Sequence, residues 1–157
     1  MNLILPFTKE DYDKSKGYFQ NIHRFSGFIA ERAVYNAYGK EWEHSYGEAD
    51  IQLYGSDIQI KSRLKLGRKK YYFNTHQKNG YKTTRGFIFG DVYYDTSECT
   101  GTFQIYPYIF ATKYILNNSQ DLVRGHRNFG PHIHEDLLKN CPDEHKFEIK
   151  KDENELR

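Results

Sequence analysis

The stretch GEADIQLYGSDIQIKSR, Gly47 to Arg63, decides how this chain is read. Apolar and polar residues alternate on both sides of Gly55-Ser56, the pattern of two strands joined by a tight turn. In the second strand Ile58 and Ile60 point one way, while Asp57, Gln59, Lys61 and Arg63 point the other. In the first strand Ile51 and Leu53 form the apolar face, and Asp50, Gln52 and Tyr54 the polar one. A two-residue turn at Gly55-Ser56 sets Tyr54 opposite Asp57, Gln52 opposite Gln59 and Asp50 opposite Lys61. The parities agree, so the polar groups share a face. Asp50 and Gln59 become diagonal neighbours, roughly 7–8 Å apart at the backbone and within bridging reach of one ion.

That set of groups has a chemical use. Magnesium takes hard oxygen ligands, keeps several waters and commonly uses only one or two carboxylates. Asp50 offers a carboxylate. The Gln59 side-chain oxygen and the Ile60 carbonyl are neutral donors. Lys61 beside such an ion can orient a water and face developing phosphate charge. An ordinary amphipathic hairpin with solvated polar residues carries the same string, so the context around it matters.

Upstream, the pattern predicts a helix within Lys9 to Asn21 and a second from Ser26 to Tyr38. Ser26 is the expected N-cap and Gly39 the expected stop. In SGFIAERAVYNAYG, Glu31 has Gly27, Phe28, Val34, Tyr35 and Tyr38 as helical neighbours, and Arg32, Asn36 and Lys40 lie on the other face. A carboxylate within an apolar stripe needs a partner. Either a tyrosine or arginine bonds Glu31, or Glu31 serves as a second acid beside Asp50. Downstream, strands are expected at Glu48–Tyr54, Asp57–Arg63, Gly86–Tyr94 and Thr102–Phe110, with a helix near His134–Asn140. Helices leading into a strand-rich centre and ending in helix predict an α/β or α+β domain on a mixed central sheet. Residues 1–150 are expected to form it, with 151–157 a frayed tail.

The net charge of +2 conceals an asymmetry. No acid occurs from Ile58 to Gly90, and that tract is +9 against −7 for the rest of the chain. Unmixed basic sequence is the footprint of a polyanionic partner, although a soluble loop can also carry it. Lys61, Arg63, Lys65, Arg68, Lys69, Lys70, Lys78, Lys82 and Arg85 carry the charge. The 14 Tyr and 11 Phe point mainly to aromatic-filled β structure, with stacking on a ligand as a further use. No apolar run is long enough to span a bilayer, and the N-terminus lacks a basic region ahead of its apolar stretch. Two cysteines, Cys99 and Cys141, make no disulfide framework, and a cytoplasmic protein is the default expectation.

Glu31 on a helix, Asp50 at the start of a hairpin, and Gln59 two residues before Lys61 resemble the PD-(D/E)XK nuclease superfamily. That group includes restriction endonucleases and Holliday junction resolvases. The resemblance covers Ser26 to Arg63, with a core strand at Gly86–Tyr94 beyond it. It implies a restriction endonuclease-like mixed sheet flanked by helices. It also implies magnesium-dependent cleavage of DNA, with Mn²⁺ able to substitute, and catalytic residues Glu31, Asp50, Gln59 and Lys61. Two positions depart from the pattern: Ala49 replaces proline, and Gln59 replaces an acid.

In LGRKKYYFNTHQKNGYKTTR, Lys and Arg would contact phosphates, while Asn74, His76, Gln77, Asn79 and Thr83 could reach bases or sugars. RGHRNFGPHIHED, Arg124 to Asp136, lacks zinc-ligand spacing despite His126, His132 and His134. It is expected to be a loop, either facing DNA through Arg124 and Arg127 or simply exposed. His23 and His44 have no identifiable partner. The leading expectation is a DNA endonuclease of restriction or homing type, working as a homodimer to cut both strands. Junction resolution or repair is the alternative within that fold. A nucleic-acid-binding module without catalysis and a tyrosine-rich structural protein are the alternatives outside it.

Overall fold

The computed structural model describes residues 3–14, 22–41, 50–65, 70–76 and 84–149. In chain order its elements are β1 (Leu3–Phe7), α1 (Lys9–Lys14), α2 (Ile22–Ala37), β2 (Ile51–Leu53), β3 (Ser56–Leu64), β4 (Tyr72–Asn74) and β5 (Thr84–Asp95). Then come β6 (Thr100–Ile105), β7 (Tyr108–Ala111), α3 (Thr112–Asn118), β8 (Gln120–Arg124), β9 (Arg127–His134), α4 (Glu135–Lys139) and β10 (Lys146–Glu148). The fold is α+β. Its main sheet runs β1-β6-β5-β3-β2, and β7 joins β5 and carries β10. Every pair is antiparallel except β3 with β5. A second, three-stranded sheet runs β4-β9-β8.

Strands β3 and β5 lie in the middle of the main sheet and are covered on both faces. Ile58, Ile60 and Leu64 with Ile88 and Val92 meet Phe25, Phe28, Ile29, Ala33 and Val34 of α2. Phe87 and Phe89 on the opposite face meet Phe73, Ile115, Ile133 and Leu138, so the small sheet, α3 and α4 cover that side. The parallel register sets Gln59 beside Phe87, Lys61 beside Phe89 and Arg63 beside Asp91. These three polar side chains therefore leave β3 on the face away from α2. Strand β5 passes β6 closely at Gly90, where a Cβ would stand 2.5 Å from the Gln104 carbonyl oxygen.

Several expectations are corrected. Helix α2 begins at Ile22, and Ser26 lies inside it, buried, instead of capping it. The Gly39 stop holds: Gly39 has φ 63°, its N–H donates to Asn36, and the Lys40 N–H donates to Tyr35, the paired bonds of a Schellman end. The hairpin turn is Tyr54-Gly55, both at positive φ, instead of Gly55-Ser56. A turn with both central residues at positive φ favours glycine at its second position. Thr102–Phe110 is two strands, broken at Tyr106-Pro107 because proline cannot donate to a ladder. The expected loop from Arg124 holds the β8–β9 hairpin and leads into α4. The 15–21 portion of the first helix and the 151–157 tail lie outside the described residues. Among the described residues no helix is long and apolar enough to cross a membrane.

Candidate active site

The observed hairpin register pairs Ile51 with Ile58, Gln52 with Asp57 and Leu53 with Ser56. Relative to the expected register this is a slide of two residues, which preserves every face. The Gln52 amide donates to the Asp57 carboxylate at 3.0 Å across the pair. Continued by one residue, the register brings Asp50 opposite Gln59 instead of diagonal to it.

Asp50 stands just before β2, whose three residues pair with Ser56 to Ile58 of β3. Its carboxylate accepts the Ile60 N–H at 2.7 Å, and its carbonyl accepts the Tyr35 hydroxyl at 2.7 Å. Asp50 is thus tied to β3 through its side chain and to α2 through its backbone. The N–H and C=O of one strand residue point to the same side. The Ile60 carbonyl therefore faces the same edge as the Asp50 carboxylate.

Lys61 lies on the far face from α2, and its ammonium donates to the His76 carbonyl just beyond β4. Burial pushes the Lys61 pKa down, and the charge of Asp50 partly opposes that shift. Gln59 is only 5% exposed, and its amide has no hydrogen bond among the described residues.

Glu31 is half-buried on α2 and has a partner of its own. It lies one turn before Tyr35, whose hydroxyl reaches Asp50. Glu31 thus approaches from the α2 side of the sheet, and Gln59 and Lys61 project on the other. Among the described residues no three His, Cys, Asp or Glu side chains group closely enough to hold a metal.

Arg63 corrects an expectation. It is 6% exposed and bound on all sides, so it is not a phosphate contact. Its guanidinium grips Asp91 with two bonds, 2.7 and 3.1 Å, and Glu135 with one at 2.9 Å. It also donates to the Lys70 carbonyl and lies 3.9 Å from the Phe73 ring centre. Burial raises the Glu135 pKa, but Arg63 and Lys139 outweigh it and hold the carboxyl below its ordinary value. Asp91 and Glu135 were not singled out by sequence, and at separations of 28 and 72 residues no local pattern points to them.

Of the other basic positions, Lys65 is half-buried, Lys70 and Arg85 are exposed, and Arg124 and Arg127 are exposed on the β8–β9 hairpin. Arg68, Lys69, Lys78 and Lys82 lie outside the described residues, as do Gln77, Asn79, Thr83 and His44. His132 contacts the Gly130 carbonyl at 2.9 Å, and His134 caps α4 by accepting the Asp136 N–H. Both histidines are absorbed by local structure. No protein-family model and no curated protein matches this chain.

Proposed function

We propose that the protein is a metal-dependent DNA endonuclease acting at the edge of β3 beside Asp50. The observation that carries the reading is the Asp50 carboxylate seated on the Ile60 peptide, with the half-buried Lys61 close enough to feel its charge. The Asp50 carboxylate, the Ile60 carbonyl and the Gln59 side-chain oxygen are hard donors with a single negative charge among them. That set fits Mg²⁺ or Mn²⁺ shared with a phosphate and several waters. Such an ion would neutralise a phosphate oxygen and acidify its bound water.

The protein groups supply the rest. Lys61 positions the attacking water in line with phosphorus and faces the charge that develops there. Tyr35 fixes the Asp50 backbone, so the carboxylate is held before substrate arrives. Glu31, one turn before Tyr35 on α2, would supply a second carboxylate from the α2 side. Exposed Lys70, Arg85, Arg124 and Arg127 offer contacts to the DNA backbone. Restriction- or homing-type cleavage by a homodimer is the favoured form, and junction resolution or repair uses the same chemistry. A second reading, binding without cleavage, is favoured by the neutral Gln59 and by the engagement of Lys61 with His76.

Plasmid nicking in Mg²⁺ or Mn²⁺ tests the proposal, beside Asp50→Ala and Lys61→Ala. Nicking that both substitutions reduce by at least about a hundredfold supports it, the scale expected when a transition-state electrostatic contact is lost. Retention of DNA without nicking in either metal leaves only the binding reading. Failure to retain DNA removes both.

A further inference from the structure

The β8–β9 hairpin is fixed at one end and free at the other. At its root Ile133 is fully buried, β9 pairs with β4, and the Thr75 N–H donates to the Pro131 carbonyl at 3.0 Å. From Gln120 to Phe129 nearly every residue is exposed, including Val123 at 59% and Phe129 at 41%. Core packing therefore explains the root but not the projecting part. The strands close through Gly125-His126, with Arg124 directly opposite Arg127. Gly125 has φ 62°, as the first residue of such a turn often requires.

The tip carries charge in a prepared form. The Arg127 guanidinium lies 4.8 Å from the Phe129 ring centre, which limits its rotamers while the side chain stays exposed. Asp121 is the only acid from Gln120 to His134. Its carboxylate accepts from the Asn128 amide at 3.1 Å, so it is engaged along the ribbon below the arginines.

Shape decides which surface of DNA such an element fits. Two strands about 4.8 Å apart, with side chains on both faces, are too broad for a minor groove roughly 6 Å wide. They fit a major groove roughly 12 Å wide and 8.5 Å deep. Position agrees. Lys61 contacts the carbonyl of His76, the neighbour of the Thr75 that anchors Pro131. Arg127 lies four residues farther out, about 13 Å at ~3.3 Å per residue, well within one turn of duplex from the Lys61 edge.

We infer that the β8–β9 ribbon enters the major groove of duplex DNA and reads guanine through Arg124 and Arg127. The inference rests on the nuclease reading of the Asp50–Lys61 edge for its choice of partner. It adds that this hairpin carries the sequence selectivity and that guanine is the base it reads.

The test is selection from a randomised 20-base-pair duplex library in metal-free buffer, with plasmid nicking in Mg²⁺ measured alongside. The proteins are wild type, Arg124→Ala, Arg127→Ala and the charge-conserving Arg127→Lys. Wild type should enrich a guanine-containing motif. Each alanine variant should relax a position of that motif and bind the selected duplex about tenfold more weakly, the scale of one lost bidentate base contact. Arg127→Lys should lose the same discrimination, and 7-deazaguanine at that position should weaken wild type equally. The inference is overturned if wild type enriches no motif, or if the variants enrich an unchanged one. It is also overturned if Arg127→Lys behaves as wild type and the deaza base has no effect, because Arg127 then contacts only phosphate. Plasmid nicking retained in any of these cases leaves the nuclease proposal standing. A wild type that neither retains duplex nor nicks plasmid removes both.

Discussion

Replacing Arg63 separates two accounts of the basic tract. If Arg63 contacted phosphate, Arg63→Ala would weaken DNA binding, lower its salt dependence by about one counterion and leave folding unchanged. The structure predicts the reverse. Three carboxylate bonds, one carbonyl bond and the Phe73 ring hold the guanidinium. Truncation strands Asp91 and Glu135, whose side chains are 14% and 16% exposed, without their shared countercharge. Breaking a buried pair from one side costs about 3–5 kcal/mol, against a total stability of about 5–15 kcal/mol for ordinary domains. At about 2–4 °C per kcal/mol for this chain length, the melting temperature should fall by roughly 6–20 °C. Thermal and urea denaturation at pH 7 measure it. A triple replacement, Arg63→Met with Asp91→Leu and Glu135→Leu, should recover much of the loss, since it leaves no charge stranded. A melting temperature within about 2 °C of wild type, together with a loss of DNA affinity, would refute the reasoning.

Other perturbations follow from the same geometry. Glu135 and Asp11 titrate below their ordinary values in the folded state. Burial alone would raise both; Arg63 and Lys139 lower Glu135, and Thr8, Asn36 and Arg32 lower Asp11. The stability each contributes is present above the unfolded pKa, 4.5 for Glu and 3.8 for Asp, and is lost as pH falls through the folded value. Acid unfolding followed by circular dichroism should therefore begin below about pH 4.5, and Glu135→Gln should flatten its slope there. Gly90→Ala puts a Cβ against the Gln104 carbonyl, which the β5–β6 ladder fixes in place, and should cost at least about 1–3 kcal/mol in urea melts. Gly27→Ala meets nothing within 4 Å inside α2 and should stabilise by about 0.5–1 kcal/mol in the same assay.

What could be read from the sequence divides by range. The two faces of the hairpin were legible because strand parity survives a slide of two residues: Ile51, Leu53, Ile58 and Ile60 all lie in the α2-side core. The register was not legible, because Gly55 suits either position of a two-residue turn and only tertiary contacts choose. The end of α2 was legible because Gly39 alone supplies a cheap positive φ there. The β8–β9 hairpin was missed because exposure on both faces erases the alternation that marks a half-buried strand, although Gly125 between Arg124 and His126 was an available turn signal. Arg63 misled because its charge stands in an acid-free tract. The tract is acid-free only in sequence, since β5 and α4 bring Asp91 and Glu135 to it.

The same distinction governs Gln59 and Lys61. They lie two apart on one strand face, beside the aromatic core formed by Phe87 and Phe89. A carboxylate at position 59 would stand within reach of the Lys61 ammonium in partly desolvated surroundings, where opposite charges attract strongly. The lysine would then tend to pair within the strand instead of facing a water or phosphate. The neutral amide leaves Asp50 as the charge that acts on Lys61. The corresponding weakness is in cation binding, because the donors on the Lys61 side then carry one negative charge in place of two. A phosphate held at the edge can supply the missing charge. On the proposed reading, cation and DNA should therefore bind this edge together, and Gln59 makes occupancy of the site depend on substrate instead of abolishing it.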